Sequence, residues 1–136
     1  MNEVNVLKCG EKFAHASVGS LHTFRGKQFV KDATDATSCE ISFGTLLTSE
    51  AVPFFHSHKE NEENYIILSG AGRFQVDGEV FDVAEGSVIR VSTGCDRNLK
   101  CTSDTPMTYI CIQAKVGSLG GYTMTDAEIT ERENLL

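Results

Sequence analysis

From residue 40 onward the chain alternates. Ile41, Phe43, Thr45 and Leu47 interleave with Glu40, Ser42, Gly44 and Leu46, a period close to two that predicts an extended strand. Residues 63–69 are a second strand candidate, because Tyr65, Ile66, Ile67 and Leu68 favour pleated structure. Residues 73–76 and 79–82 flank Asp77-Gly78, and an Asp-Gly pair between two such runs predicts a two-residue hairpin. A type I′ turn there needs positive φ at both central residues, so Gly78→Val is expected to destabilise. Ala84-Glu85-Gly86 turns the chain into residues 87–91, and residues 107–114 give a last strong strand. Before residue 38 the pattern is weak, with a short strand in 27–31 and a turn-like stretch over 32–38. At the other end Thr125 is placed to cap a short helix from Asp126 to about Glu133. Many short strands with frequent turn signals predict an all-β sandwich or barrel.

A chain of 136 residues fits one domain, here taken as 1–136. The formal charge of −7 repels phosphate backbones, and no basic run offsets it, so nucleic acid is not an expected partner. The five cysteines, Cys9, Cys39, Cys95, Cys101 and Cys111, are odd in number and form no CxxC pair. Both facts disfavour a disulfide framework and a zinc ribbon, and all five are expected to be reduced. The first residues show no basic stretch leading into an apolar one, and no apolar run is long enough to span a bilayer. The expectation is a cytoplasmic protein without a membrane partner.

The informative stretch runs from Val52 to Tyr65. On an extended strand His56 and His58 project to the same face. The polar residues 59–62 turn the chain, and a returning antiparallel strand brings Glu63 beside the two imidazoles. Two neutral imidazoles and a carboxylate suit one divalent transition metal, Fe²⁺, Mn²⁺, Ni²⁺, Co²⁺ or Zn²⁺, and leave coordination positions open. Taken alone, an HxH is a weak signal, and surface histidines are the plainer reading. The glutamate that follows on a strand, then Gly70 and Gly72, strengthen the metal reading.

These residues resemble the first cupin motif, a glycine, five residues, HxH, three or four residues, glutamate, six residues and glycine. His56, His58, Glu63 and Gly70 fall in register, while Glu50 stands where the opening glycine would be. The second cupin motif, glycine, five residues, PxG, two residues and histidine, is matched by Gly86, Ser92-Thr93-Gly94 and Arg97. Ser92 replaces the proline, and Arg97 replaces the histidine that would be a fourth ligand. The string NEENYIILSGAGRFQVDGEVFDVAEG is similar to small single-domain bacterial cupins of uncharacterised function. The resemblance covers about residues 40–114. It implies an all-β double-stranded β-helix (cupin jelly roll) with short N- and C-terminal extensions, a metal on His56, His58 and Glu63, and a homodimer.

By that register Arg97 faces the pocket. It cannot coordinate metal, but its donors suit the carboxylate or phosphate of a small anionic ligand. A one-residue slip would turn it to solvent instead. His15 and His22 lie in a segment without a period and read as surface or packing residues. Glu62 should face away from Glu63 and be solvated. Cys95 sits at the presumed rim and reads as an inert thiol, Cys101 and Cys111 as small core residues. Tyr65 and Gln75 are candidates to line the barrel.

Two classes of function stand open. One is a metal-dependent enzyme, an oxygenase, isomerase or epimerase, or lyase, acting on a small polar and anionic molecule. The other is a non-catalytic module that binds or senses a small ligand. No residue beyond the triad is placed as a general acid or base, so the reaction is unassigned.

Overall fold

The computed structural model describes residues 3–136. The elements follow in the order β1 (Asn5–Cys9), β2 (Ala14–Ser17), β3 (Gly26–Phe29), α1 (Lys31–Thr34), β4 (Glu40–Leu46), β5 (Asn61–Ser69), β6 (Ala71–Val76), β7 (Glu79–Ala84), β8 (Val88–Val91), β9 (Arg97–Cys101), β10 (Met107–Lys115) and α2 (Thr123–Asp126). A five-stranded sheet, β3-β4-β10-β5-β8, is opposed by a three-stranded one, β7-β6-β9, and β1 pairs with β2 alone. The inner faces share one core. Tyr65, Ile67, Val91, Met107 and Tyr109 come from the larger sheet, Phe74, Val83 and Leu99 from the smaller. Two antiparallel sheets closed around a common interior make a double-stranded β-helix.

Alternation places the strands but not always their inner face. On β5 it puts Glu63, Tyr65 and Ile67 inside. On β4 the buried set is Ser42, Gly44 and Leu46 with Thr45, while Ile41 and Phe43 are half-buried. The cause is Tyr109, which pairs with Gly44 across the sheet. A Cβ on residue 44 would run into the Tyr109 ring, so glycine makes room for a large aromatic on the inner face.

Three local expectations are corrected. Val76 pairs with Glu79, so Asp77-Gly78 is a two-residue hairpin loop as expected, but only Asp77 is left-handed (φ 49°). Asp77 donates its backbone N–H to the Asp96 carbonyl (2.8 Å) and accepts the Asp96 N–H on Oδ1 (2.9 Å). Docking of the 92–96 loop thus holds Asp77 in that conformation, and Gly78 is not needed for a positive φ. A Cβ at 78 meets nothing, so the expected penalty for Gly78→Val does not follow. The C-terminal helix is one turn, Thr123–Asp126, not 126–133. Thr125 lies inside it, its hydroxyl accepting the Tyr122 N–H (3.0 Å), and the segment buries no face that would extend it. At the other end the turn-like stretch holds α1, and the β1–β2 hairpin lies where no period was visible.

Gly70 joins β5 to β6 with φ +76°, and a Cβ there would lie 2.5 Å from the Pro106 carbonyl oxygen and 2.7 Å from the Met107 Cα. Both obstacles are backbone. Gly70→Ala is expected to destabilise by roughly 1–3 kcal/mol through overpacking, with about 1–2 kcal/mol more from the left-handed backbone. Urea denaturation measures this, and an unchanged midpoint would contradict the packing described.

Candidate metal centre

Glu63 sits on β5 between β10 and β8, opposite Gln113 and Val91, and is 4% exposed. The histidines reach it from the 51–60 connection, which is not a ladder strand. Two bonds from the β8–β9 side fix it instead: Arg97 N–H to the His56 carbonyl (3.1 Å) and Gly94 N–H to the His58 carbonyl (2.9 Å). The expected common face of His56 and His58 is thus produced by a bridged loop. Their rings stand nearly perpendicular, 5.1 Å apart. His56 Nε2 lies 3.6 Å from Glu63 Oε1, and His58 Nε2 lies 3.3 Å from Oε2.

Three further side chains converge on the carboxylate. Arg97 Nη1 donates to Oε1 (2.9 Å), Tyr65 Oη donates to Oε1 (2.7 Å), and Cys111 Sγ donates to Oε2 (3.2 Å). Burial alone would raise the Glu63 pKa. The bonds from Tyr65 and Cys111 and the charges of His58 and Arg97 outweigh it and hold the carboxyl below its ordinary value. Burial, reinforced by the Glu63 charge, pushes the Cys111 thiol up to about 12 and keeps the Tyr65 phenol protonated. Both therefore remain donors to an ionised acid. His56 is lowered by burial first and by the cations Arg97 and Lys27, against the pull of Glu63.

The sign of the acid response follows. His56 and Glu63 both titrate below their ordinary values of 6.5 and 4.5. As pH falls, the unfolded chain takes up each proton before the folded one does. The stability they contribute is present above those ordinary values and is lost on acidification through the folded ones. The metal-free protein should lose stability from just below pH 6.5 and again below pH 4.5. Urea midpoints between about pH 8 and 4 check this. A midpoint that rises as pH drops below 6.5 would contradict it.

The donor set fits a metal. Among the described residues the group of possible metal-holding side chains is His56, His58 and Glu63, with one ligand atom from each lying within 4.8 Å of the others. Ligands bound at about 2.1 Å and at right angles lie roughly 3 Å apart. The imidazole–carboxylate separations are close to that and long for direct hydrogen bonds. His15 and His22 are outside the group, and Cys95 Sγ turns to the Thr93 carbonyl (3.8 Å). All five cysteines are free.

Arg97 lies on the inner side, 1% exposed, and lines a cavity of about 80 Å³ beside the triad. Its Nη2 donates to the Ser92 carbonyl (3.2 Å), so both terminal nitrogens are engaged within the protein. Sequence reasoning placed Tyr65 as a wall residue and missed its bond to Glu63. Cys111 lies in the core as expected, and its pairing with Tyr65 across β10 and β5 also sets both beside the acid, which only the register shows. Lys27, on the same cavity wall, lies in the stretch without a period and gave no signal.

A closed double sheet with an inward two-histidine, one-carboxylate group defines a small barrel protein with a possible metal centre. The family model of the cupin domain matches residues 44–113, just over half of the chain, and this chain belongs to that family. It is 37% identical to a cupin protein of known structure from Bacteroides fragilis, with a TM-score of 0.82 over 90% of this chain and 100% of that one. It is 30% identical over 76 residues to an uncharacterised protein of Methanocaldococcus jannaschii, a match spanning 56% of this chain and 57% of that relative's length. A structure described as a predicted oxalate decarboxylase from Thermotoga maritima shares the fold, at 22% identity and a TM-score of 0.53 over 56% of this chain and 65% of that one. Among the described residues no helix is long and apolar enough to cross a membrane.

Proposed function

We propose that this protein is a metal-dependent cupin enzyme acting on a small anionic molecule, with one divalent transition metal held by His56, His58 and Glu63. The observation that carries the reading is the convergence of both Nε2 atoms on the two oxygens of one buried carboxylate. A metal bound there would supply a Lewis acid or redox centre with open positions for a ligand. The surrounding residues hold its carboxylate ready. Arg97 and Tyr65 fix the orientation of Oε1, and Cys111 fixes Oε2. Arg97 also keeps one donor, Nε, without a protein partner, and we assign that donor to the substrate. Asn98 holds the loop that carries the histidines, donating to the carbonyls of Val52 (2.9 Å) and Phe54 (3.2 Å).

A non-catalytic binding or sensor module is the second reading. Its support is that the Tyr65 hydroxyl and the Cys111 thiol both donate to Glu63, so neither is an uncommitted acid or base. Metal-loaded protein presented with a panel of small acids, thiols and sugars separates the two. Product formation that disappears with the metal supports the enzyme. Saturable binding without turnover across the panel supports the module and overturns the enzyme.

A further inference from the structure

The cavity beside the triad has Lys27, His56, Tyr65, Arg97 and Tyr109 in its wall, and neither His58 nor Glu63. It therefore adjoins the candidate metal position on the His56 side and does not sit on the carboxylate. Two nitrogens of its lining side chains are buried without an acceptor, and a third belongs to the exposed Lys27. Arg97 Nε and His56 Nδ1 are buried without a hydrogen-bond partner, on a guanidinium that is 1% exposed and on an imidazole. Lys27 Nζ has no carboxylate within ion-pair distance among the described residues. It lies over the rings of Phe29 and Tyr109 at 5.2 and 6.0 Å.

Buried donors are rarely left unpaired, and two on residues of one small cavity point to an occupant that accepts hydrogen bonds. When Nε2 of an imidazole faces a metal, the proton resides on Nδ1, so His56 is a donor here. Lysine and arginine nitrogens are donors only. A water would bring hydrogens that need acceptors of their own, whereas a carboxylate brings acceptors alone. Charge agrees. Glu63 is already balanced by Arg97, so Lys27 and a divalent metal leave the cavity with an excess of positive charge that an anion would neutralise.

Size and geometry narrow the class. At about 80 Å³ the space is several-fold smaller than the roughly 300 Å³ lower bound of a drug-sized site. The fork of Arg97 is already closed on Glu63 and Ser92, so the bidentate grip that suits phosphate is not available. We propose that this cavity takes the carboxylate of a short-chain organic acid, held by Lys27, by Arg97 Nε and by the outer nitrogen of His56. Lys27 sets the specificity. It stands on β3, outside the residues 44–113 matched to the cupin domain. The inference rests on the metal reading through the His56 proton and through the charge the metal would add.

The test is calorimetric titration of protein reconstituted with Zn²⁺, its metal content measured first. Lactate should bind saturably, and lactamide, its neutral counterpart of the same shape, at least about tenfold more weakly, the factor that 1.4 kcal/mol of lost ion pairing represents. Lys27→Gln, an exposed position, should weaken lactate by a similar factor at unchanged zinc content, and Lys27→Arg should restore it. Equal binding of lactate and lactamide, unchanged binding by Lys27→Gln, or inorganic phosphate binding more tightly than lactate would overturn the assignment. Lactate that fails to bind a fully zinc-loaded protein would overturn it while leaving the metal reading intact. Failure to take up zinc would show at the first step and would remove both.

Discussion

Replacing Arg97 by methionine is expected to destabilise the metal-free protein by about 3–5 kcal/mol, the usual result of breaking a buried ion pair from one side. Arg97 is 1% exposed and Glu63 4%, and their contact is 2.9 Å, so deleting the guanidinium strands a carboxylate away from water. Glu63 has one escape, which is to take up a proton. From its ordinary pKa of 4.5 that costs roughly 3.4 kcal/mol at pH 7, so the loss should fall near the lower end of the range. Melting should drop by roughly 10 °C or more. The double variant Arg97→Met/Glu63→Gln should recover most of the loss, because no charge is then buried alone. Zinc added to the single variant should also recover part of it, since a divalent cation replaces the missing positive charge. Equal melting temperatures for Arg97→Met and the parent protein would show that Glu63 does not depend on this partner.

The largest effect on binding is expected from His56→Ala/His58→Ala. Two of the three proposed ligands vanish, and the one left, a buried carboxylate already paired with Arg97, holds a transition metal poorly by itself. Affinity should fall by at least ~10³, given that even outer partners of metal ligands are worth about 10–100-fold. The fold should survive, because both imidazoles are partly exposed, 34% and 26%, and sit on a connection held by backbone bonds. Competition against a chromophoric chelator reads the affinity, and urea denaturation of the metal-free variant confirms the fold. A folded double variant that still competes like the parent protein would place the metal elsewhere.

Much of this centre is legible in the residues because its spacing is local. Four residues separate His58 from Glu63, and a period of two on β5 turns Glu63 inward beside Tyr65 and Ile67. Arg97 is legible only through the register of the second motif, which turns it toward the pocket, and the structure buries it against Glu63. Its pairing with Glu63 spans 34 positions and depends on how β9 faces β5 across the barrel, which no local pattern encodes. Cys111 reads as core by composition, and its role appears only with the β10–β5 register. The short strand expected over 27–31 has its counterpart in β3, but the N-terminal hairpin and the cavity role of Lys27 give no signal, because β1 and β3 are mostly exposed and no apolar face marks a period. The turn at Asp77 was misjudged in its φ angles because a tertiary contact with Asp96 sets them, not the dipeptide. The inner face of β4 was hidden for a similar reason, since Gly44 is inside to accommodate Tyr109.

Crystals of the protein soaked in Zn²⁺ and measured at the zinc absorption edge test the central claim most directly. The account predicts one anomalous peak per chain, bonded to Nε2 of His56, Nε2 of His58 and a carboxylate oxygen of Glu63 at about 2.0–2.2 Å. A fully occupied peak at other residues, or no peak at the triad in protein shown to be folded, would contradict it.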